Sequence, residues 1–375
     1  MIRTLAMAGY RSLRDVRIGL SRVTVITGGN GTGKSNVYRA LRLLVDAAEG
    51  NLARSLAREG GMPSATWAGE GMPTKPGGGQ RISIGFDDGM VAYELRLGLP
   101  PGPPERRHLP FAFDPEVKEE TLRPLASPRV RFLERRNEST MLRDEEGRPI
   151  TFAGQLDASE SVLSQLAEPH RYPILSMLRE RLRRWRFYHQ LRTDADSPLR
   201  QPQIGARTPV LAHDGQDLAA ALATIQDIGD PGALADAVAD AFDGARVRIH
   251  VDGARFSLGL VAPGVRRELD AAELSDGTLR YLALLAALQS PRPPELLVLN
   301  EPETSLHPRV LGPLARQIAL AATRSQVVVV SHAAELVDAI TPVDGATRVE
   351  LVKTAGATTV SGRSLVDTPI WKWTS

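Results

Sequence analysis

The alternation of apolar and polar positions predicts a mixed α/β chain. Ser21–Thr27 (SRVTVIT) is a short β-branched run ending at Gly28 and reads as a buried strand. Glycine-rich sequence follows, then a helix from about Gly33 to Ala48, in which Val37, Leu41, Leu44 and Ala48 recur at helical spacing. Residues 60–79, rich in Gly and Pro, predict a loop. Arg81–Phe86 and Val91–Leu97 read as strands around an Asp87–Asp88–Gly89 turn. Pro100–Pro115 reads as a linker, and Arg129–Arg135 with Ser139–Arg143 as a further hairpin.

From Ser159 to about Arg192 the pattern turns helical. Leu218–Phe242 predicts two helices broken near Gly229–Asp230, with Pro231 suited to a first turn. Arg246–Val251 alternates strictly, and Asp252–Gly253 turns it toward a partner strand, Arg255–Leu260. The last hundred residues alternate helix and strand, with buried strands at Glu295–Leu299 and Gln326–Val330. No internal repeat or sustained heptad occurs, so no long coiled coil is expected. Three parts are expected: an N-terminal lobe segment (1–135), a mainly helical insertion (136–245) and a C-terminal lobe segment (246–375).

Composition narrows the chemistry. With 375 residues, 42% apolar and 24% charged, the chain can bury a sizeable core. The net charge of +2 makes no case for nucleic acid. Only five of the 46 basic residues are lysine, a bias that a GC-rich genome explains as well as phosphate binding does. The absence of cysteine excludes disulfides, thiol catalysis and Cys-ligated zinc. The opening MIRTLAMAGYRSL lacks the apolar core expected of a signal peptide, and no run approaches the ~20 apolar residues needed for a membrane span. The longest apolar run, Tyr281–Leu288, reads as a buried helix, and a cytoplasmic location is expected.

The strongest local signal is Gly28–Gly29–Asn30–Gly31–Thr32–Gly33–Lys34–Ser35. It fits G-x-x-x-x-G-K-[ST] between a strand and a helix, the setting of a phosphate-binding loop. Its glycines let backbone N–H groups turn toward a phosphate, and the helix N-terminus adds partial positive charge. Lys34 is expected to reach the β/γ-phosphates and Ser35 to ligate Mg2+. At the end of the Glu295–Leu299 strand, Asn300 and Glu301 follow, and Glu301 is the candidate for orienting the attacking water. His332 lies 31 residues after Glu301, about one strand–helix–strand crossover, so both are expected at one sheet edge. Ser275 and Gly277 open an apolar helix, where they could donate to a phosphate or simply cap the helix.

In order, GGNGTGKS, LSDGTLR, LLVLNEP, TSLHP and VVVVSH resemble the Walker A, signature, Walker B, D-loop and H-loop of ABC-type ATPases. With Gly9–Tyr10–Arg11–Ser12–Leu13 and NEPETSLHP, the chain is most similar to small RecF-like predicted AAA/ABC ATPases of the SMC/RecF/OLD branch. The resemblance implies a P-loop NTPase head of ABC type, with a mixed sheet, an antiparallel β part and a helical lobe. It implies ATP and Mg2+ as cofactors and a homodimer closing on two nucleotides. Ser275 and Gly277 would then contact the γ-phosphate in trans, Glu301 would position the water, and His332 would contact the γ-phosphate in cis. Arg11 is a further nucleotide-contact candidate.

Asn300 replaces the usual Walker B Asp and Asp276 replaces a signature Gly, so slow hydrolysis is expected. The coupling glutamine is not placed; Gln80 and Gln155 both stand as candidates. Arg179–Arg192 interleaves six arginines with Trp185, Phe187 and Tyr188, which suits either nucleic-acid contact or an amphipathic helix burying its aromatics. The expected role is a switch on DNA or a DNA-bound complex in repair, segregation or phage defence. A regulatory ATPase controlling a separately encoded effector is the alternative, and a transporter subunit is disfavoured. The 43 residues after His332 are too few for the Toprim nuclease domain of OLD-like proteins, so nuclease activity is expected only from a partner.

Overall fold

The computed structural model describes residues 1–70, 80–101, 110–144, 146–166, 168–189, 191–362 and 368–374. In chain order it begins with β1 (Thr4–Tyr10), β2 (Leu13–Gly19), β3 (Val23–Gly28), α1 (Lys34–Glu49), α2 (Leu52–Arg58) and α3 (Gly61–Ala65). Six strands follow: β4 (Ile82–Asp87), β5 (Val91–Gly98), β6 (Glu116–Pro124), β7 (Leu133–Arg136), β8 (Ser139–Arg143) and β9 (Pro149–Thr151). Next come α4 (Val162–Gln165), α5 (Pro173–Arg183), β10 (Arg186–Tyr188), β11 (Gln203–Ile204), α6 (Leu218–Ile228) and α7 (Pro231–Ala241). Then follow β12 (Arg246–Asp252), β13 (Arg255–Val261), β14 (Leu269–Asp270), α8 (Asp276–Leu288) and β15 (Leu296–Asn300). The chain closes with α9 (Leu311–Ala321), β16 (Gln326–Val330), α10 (Ala334–Ile340), β17 (Ala346–Thr354) and β18 (Ala357–Val360).

These elements form two compact units, each drawn from separate stretches of chain. The first comprises Met1–Ser21, Gly28–Trp185 and Val349–Ser375. Eight of its strands pair antiparallel in the order β2-β1-β4-β5-β6-β7-β8-β9. Helix α1 carries the apolar face expected of it, with Val37, Leu41, Leu44 and Ala48 all buried. Two left-handed glycines bound it, Gly33 before and Gly50 after, and the Gly50 N–H closes onto the Asp46 carbonyl.

The second unit comprises Arg22–Thr27 and Arg186–Arg348. Strands β10, β15, β16 and β3 lie side by side in parallel. Every residue of β15 and β16 is buried, as expected for strands covered on both faces. A separate antiparallel group joins β11, β13, β12 and β14. Helices α6 and α7 break where the sequence predicts: Asp230 accepts from the Ala233 N–H, and Pro231 fills the first turn. Mixed and antiparallel sheets with a helical part are thus both present, and among the described residues no helix is long and apolar enough to cross a membrane.

Three stretches differ from the pattern reading. Within the expected 60–79 loop, Gly61–Ala65 forms a short helix, because Met62 and Ala65 are fully buried and packing overrides the Gly/Pro signal; residues 71–79 lie outside the described residues. Strand β6 was not anticipated. Its sequence is rich in charge, its pairing with β5 shifts register at Arg96/Leu97, and its inward residues include Glu120, so no clean alternation marks it. The helix expected through Arg192 stops at Arg183, and Arg186–Tyr188 instead pairs with Leu297–Leu299 as a parallel strand. Trp185, Phe187 and Tyr188 are each 2% exposed, so burial of β-prone aromatics decides this segment.

Candidate functional site

The phosphate loop follows directly from β3. Gly28, Gly31 and Gly33 all have positive φ, at 147°, 76° and 102°. At Gly28 a Cβ would run into the Leu351 carbonyl oxygen, and at Gly33 into the Thr358 hydroxyl, so tight packing against β17 and β18 also demands glycine there. Lys34 is only 6% exposed and donates to the carbonyls of Gly28 (2.6 Å) and Gly29 (2.9 Å), which curls the ammonium into the loop. Thr32 Oγ1 donates to the Gly29 carbonyl at 2.9 Å, tightening the turn. Gly29, Asn30, Gly31 and Ser35 are exposed, Ser35 on the first turn of α1.

Arg11 occupies a left-handed position (φ 49°) and is engaged by Glu59, at 2.9 Å through Nε and 2.8 Å through a terminal nitrogen. Tyr10 donates to the same carboxylate at 2.8 Å. Burial and then the Glu59 charge push the Tyr10 pKa far up, so this hydroxyl remains a donor. Arg11 thus has an internal partner that its sequence context does not show. Gln80 and Gln155 are both exposed.

In the second unit, parallel register brings several strand ends to one edge. Leu299 lies beside Tyr188, Asn300 beside Val330, and Val330 beside Ile26. Asn300 is 1% exposed; its Nδ2 lies 2.6 Å from His189 Nδ1, while its Oδ1 is buried without a hydrogen-bond partner among the described residues. Glu301 has φ 49°, a left-handed conformation that costs a non-glycine residue ~1–3 kcal/mol. Three bonds hold its backbone: its N–H donates to the Val330 carbonyl at 2.7 Å, and its carbonyl accepts from Arg280 at 2.9 Å and from the Thr304 N–H at 3.2 Å. It lines a cavity of about 310 Å³ with His189, Leu191, Arg192, Arg280 and Thr304.

Glu303, 7% exposed, links the β15 and β16 ends. One carboxylate oxygen accepts from Ser331 Oγ (2.8 Å), the His332 N–H (3.0 Å) and the Ala333 N–H (3.3 Å), and lies 3.2 Å from His332 Nδ1. The His332 side chain remains 53% exposed. The 31-residue spacing therefore brings Glu301 and His332 to one edge, with the Glu303 carboxylate holding the His332 backbone there.

At the signature, Ser275 Oγ accepts from the Thr278 N–H at 3.1 Å and caps α8, so the capping reading describes the geometry present. A Cβ on Gly277 would come within 2.6 Å of the Ser305 carbonyl oxygen. Asp276 pairs at 2.7 Å with Arg200, whose side chain is 10% exposed and also donates to the carbonyls of Ala271, Ala272 and Leu274. In the 179–192 stretch Trp185, Phe187 and Tyr188 are buried and present no face for stacking. Its Arg181, Arg183 and Arg192 form ion pairs with Asp88, Glu180 and Asp194.

Sequence reasoning missed Glu59, His189, Arg200 and Glu303. Glu303 had a local signal, an acid two residues beyond Glu301. His189 was hidden because the preceding segment read as helix, and Glu59 and Arg200 are placed only by tertiary structure.

The family model described as "AAA domain, putative AbiEii toxin, Type IV TA system" matches residues 23–338. No curated protein matches the sequence. Among solved structures, the SMC head domain from Thermotoga maritima aligns at TM-score 0.50 and 16% identity, covering 97% of this chain and 99% of that one. An Smc head bound to the C-terminal winged-helix domain of ScpA aligns at TM-score 0.55 and 15% identity, covering 97% and 98%. An Smc head with an extended coiled coil, from Pyrococcus furiosus and bound to the C-terminal domain of ScpA, aligns at 0.54 and 12%, covering 97% and 96%. With the family model spanning most of its length, the chain belongs to this AAA-domain family, and over nearly all of that length it has the fold of an SMC head domain.

Proposed function

We propose that the chain binds and slowly hydrolyses Mg-ATP, and that two copies close on two nucleotides to form a switch. The observation that carries this reading is Glu301, an acid held in strained backbone by three hydrogen bonds at the wall of a cavity. A carboxylate carried on backbone held in this way can accept a proton from, or orient, an attacking water. Lys34, which donates to the Gly28 and Gly29 carbonyls, would exchange them for β/γ-phosphate oxygens.

Among the described residues no group of three or more His, Cys, Asp or Glu side chains could hold a metal alone. Mg2+ keeps most of its water and is held largely through phosphates, so it asks for few protein ligands. The exposed Ser35 hydroxyl, on the first turn of the helix after the loop, fits it as a ligand. When bound, the ion would neutralise charge developing on the β/γ oxygens. Glu303 would hold His332 at the edge that carries Glu301. Ser275 and Gly277 of a second copy would cap the γ-phosphate; Arg200 draws Asp276 aside and offsets a charge that would repel it.

The load of the switch is DNA, a DNA-bound complex or a separately encoded effector. The effector reading gains from the buried aromatics of the 179–192 stretch, which removes the stacking that direct single-strand contact would use. ATP-dependent binding to duplex and single-stranded DNA across a salt series separates these readings.

Glu301→Gln is expected to abolish turnover and trap an ATP-bound dimer. Mass measured by light scattering should double with Mg-ATP and stay monomeric with ADP. A variant that remains monomeric under saturating Mg-ATP would overturn the closing-dimer mechanism.

A further inference from the structure

Ser12 stands in the turn between β1 and β2, and Thr358 in β18, yet both touch the phosphate loop. Thr358 Oγ1 donates to the Thr32 carbonyl at 2.7 Å. It lies 2.7 Å from Ser12 Oγ, which accepts from Asn36 Nδ2 at 2.9 Å. These roles give one consistent donor chain: Asn36 amide to Ser12, Ser12 hydroxyl to Thr358, Thr358 hydroxyl to the Thr32 carbonyl. The Thr358 N–H also donates to the Ser12 carbonyl at 2.8 Å, closing the contact on the backbone side. A Cβ on Gly33 would collide with Thr358 Oγ1 and come within 2.7 Å of Ser12 Oγ, so only glycine admits this approach.

In a planar trans peptide the carbonyl and the following N–H point to opposite sides. Anchoring the Thr32 carbonyl on β18 therefore aims the Gly33 N–H the other way, off the β18 side of the loop. Thr358 is 1% exposed, so water does not readily replace its hydroxyl if it is removed. The geometry points to Thr358, supported by Ser12, as the positioning residue for the Gly33 peptide. Phosphate affinity then depends on a hydroxyl 326 positions away in sequence from the carbonyl it holds. The same chain gives the Ser of the opening Gly9–Leu13 motif a physical task. This inference rests on the nucleotide-binding reading above.

The test uses the full chain. Thr358→Val, close in shape but lacking the hydroxyl, is expected to weaken ATP binding about tenfold, while Thr358→Ser, which restores the donor, stays within about twofold of the parent. Fluorescent-ATP titration reads the affinity. Amide exchange of the nucleotide-free protein reads the loop, with faster exchange expected at Thr32–Ser35 and unchanged exchange in α5. Parent-like affinity and exchange in Thr358→Val overturn the inference, as does a Thr358→Ser protein as weak as Thr358→Val. Lys34→Ala is the control. If it keeps parent affinity, the nucleotide reading itself fails, and loop exchange alone decides whether Thr358 positions the peptide.

Discussion

The phosphate loop and the strand-end cluster are built by opposite means. The loop is eight consecutive residues whose shape comes from left-handed glycines and a lysine turned back on its own carbonyls. The cluster of Asn300, Glu301 and His332 exists only because β15 and β16 pair in parallel and end together. A contiguous motif carries its chemistry in local backbone, so residue types suffice to recognise it. An assembled edge carries its chemistry in register and in supports that no local pattern displays. Substitutions should therefore act differently in the two regions: in the loop on binding, at the edge on turnover.

The largest expected effect tests the loop side. Lys34→Ala removes two charge-assisted contacts of the kind that would transfer to phosphate, and ATP affinity is expected to fall about a hundredfold or more. Calorimetric titration reads it, with no change expected in the melting temperature of the nucleotide-free protein beyond a few degrees. A lost affinity matched by a lost fold would mean that the lysine serves the loop rather than the ligand.

A smaller effect belongs to the edge. Glu303→Gln keeps an acceptor for the Ser331 and His332 donors but removes the charge beside His332. Single-turnover hydrolysis is expected to slow about tenfold while ATP affinity stays within about twofold, since charged hydrogen bonds exceed neutral ones by ~1 kcal/mol or more. Equal losses in affinity and rate would erase the distinction between the two regions.

That distinction also explains what the sequence disclosed. Strand β3, the Gly28–Ser35 turn and the apolar face of α1 are local consequences of β-branching, glycine and helical spacing, and all were legible. The 31-residue spacing of Glu301 and His332 was legible because one crossover has a characteristic length. Residues 179–192 misled because Leu175, Leu178 and Leu182 set a helical period that α5 obeys, while the next turn is captured by β15. The support of Arg11 was hidden differently: its partner, Glu59, lies 48 positions away and is brought in only when α2 packs. Glu120 is the extreme case, a charged residue at the centre of a fold, in a strand whose charge hid it.

Glu120 supplies a control outside both regions. Its carboxylate is fully buried and accepts from Tyr93 (2.8 Å), Ser161 (2.7 Å) and the Val162 N–H (2.8 Å), pinning α4 to the sheet. Burial raises its pKa above the usual carboxylate value despite these donors. An acid whose folded pKa is raised binds more protons folded than unfolded, so its contribution is greatest at low pH. Stability from this group should then fall as pH rises from about its unfolded value of 4.5 through the raised folded value. Glu120→Gln removes that slope. It also turns an amide N–H toward one of the three donors, which should cost about 1–3 kcal/mol of stability. Urea unfolding across that pH range reads both, as a flatter pH profile and a lower midpoint, while ATP affinity at saturating folded protein stays within about twofold. A pH profile parallel to the parent's would show that Glu120 ionises as freely in the core as in the unfolded chain, and the buried network would then need another source for its hold on α4.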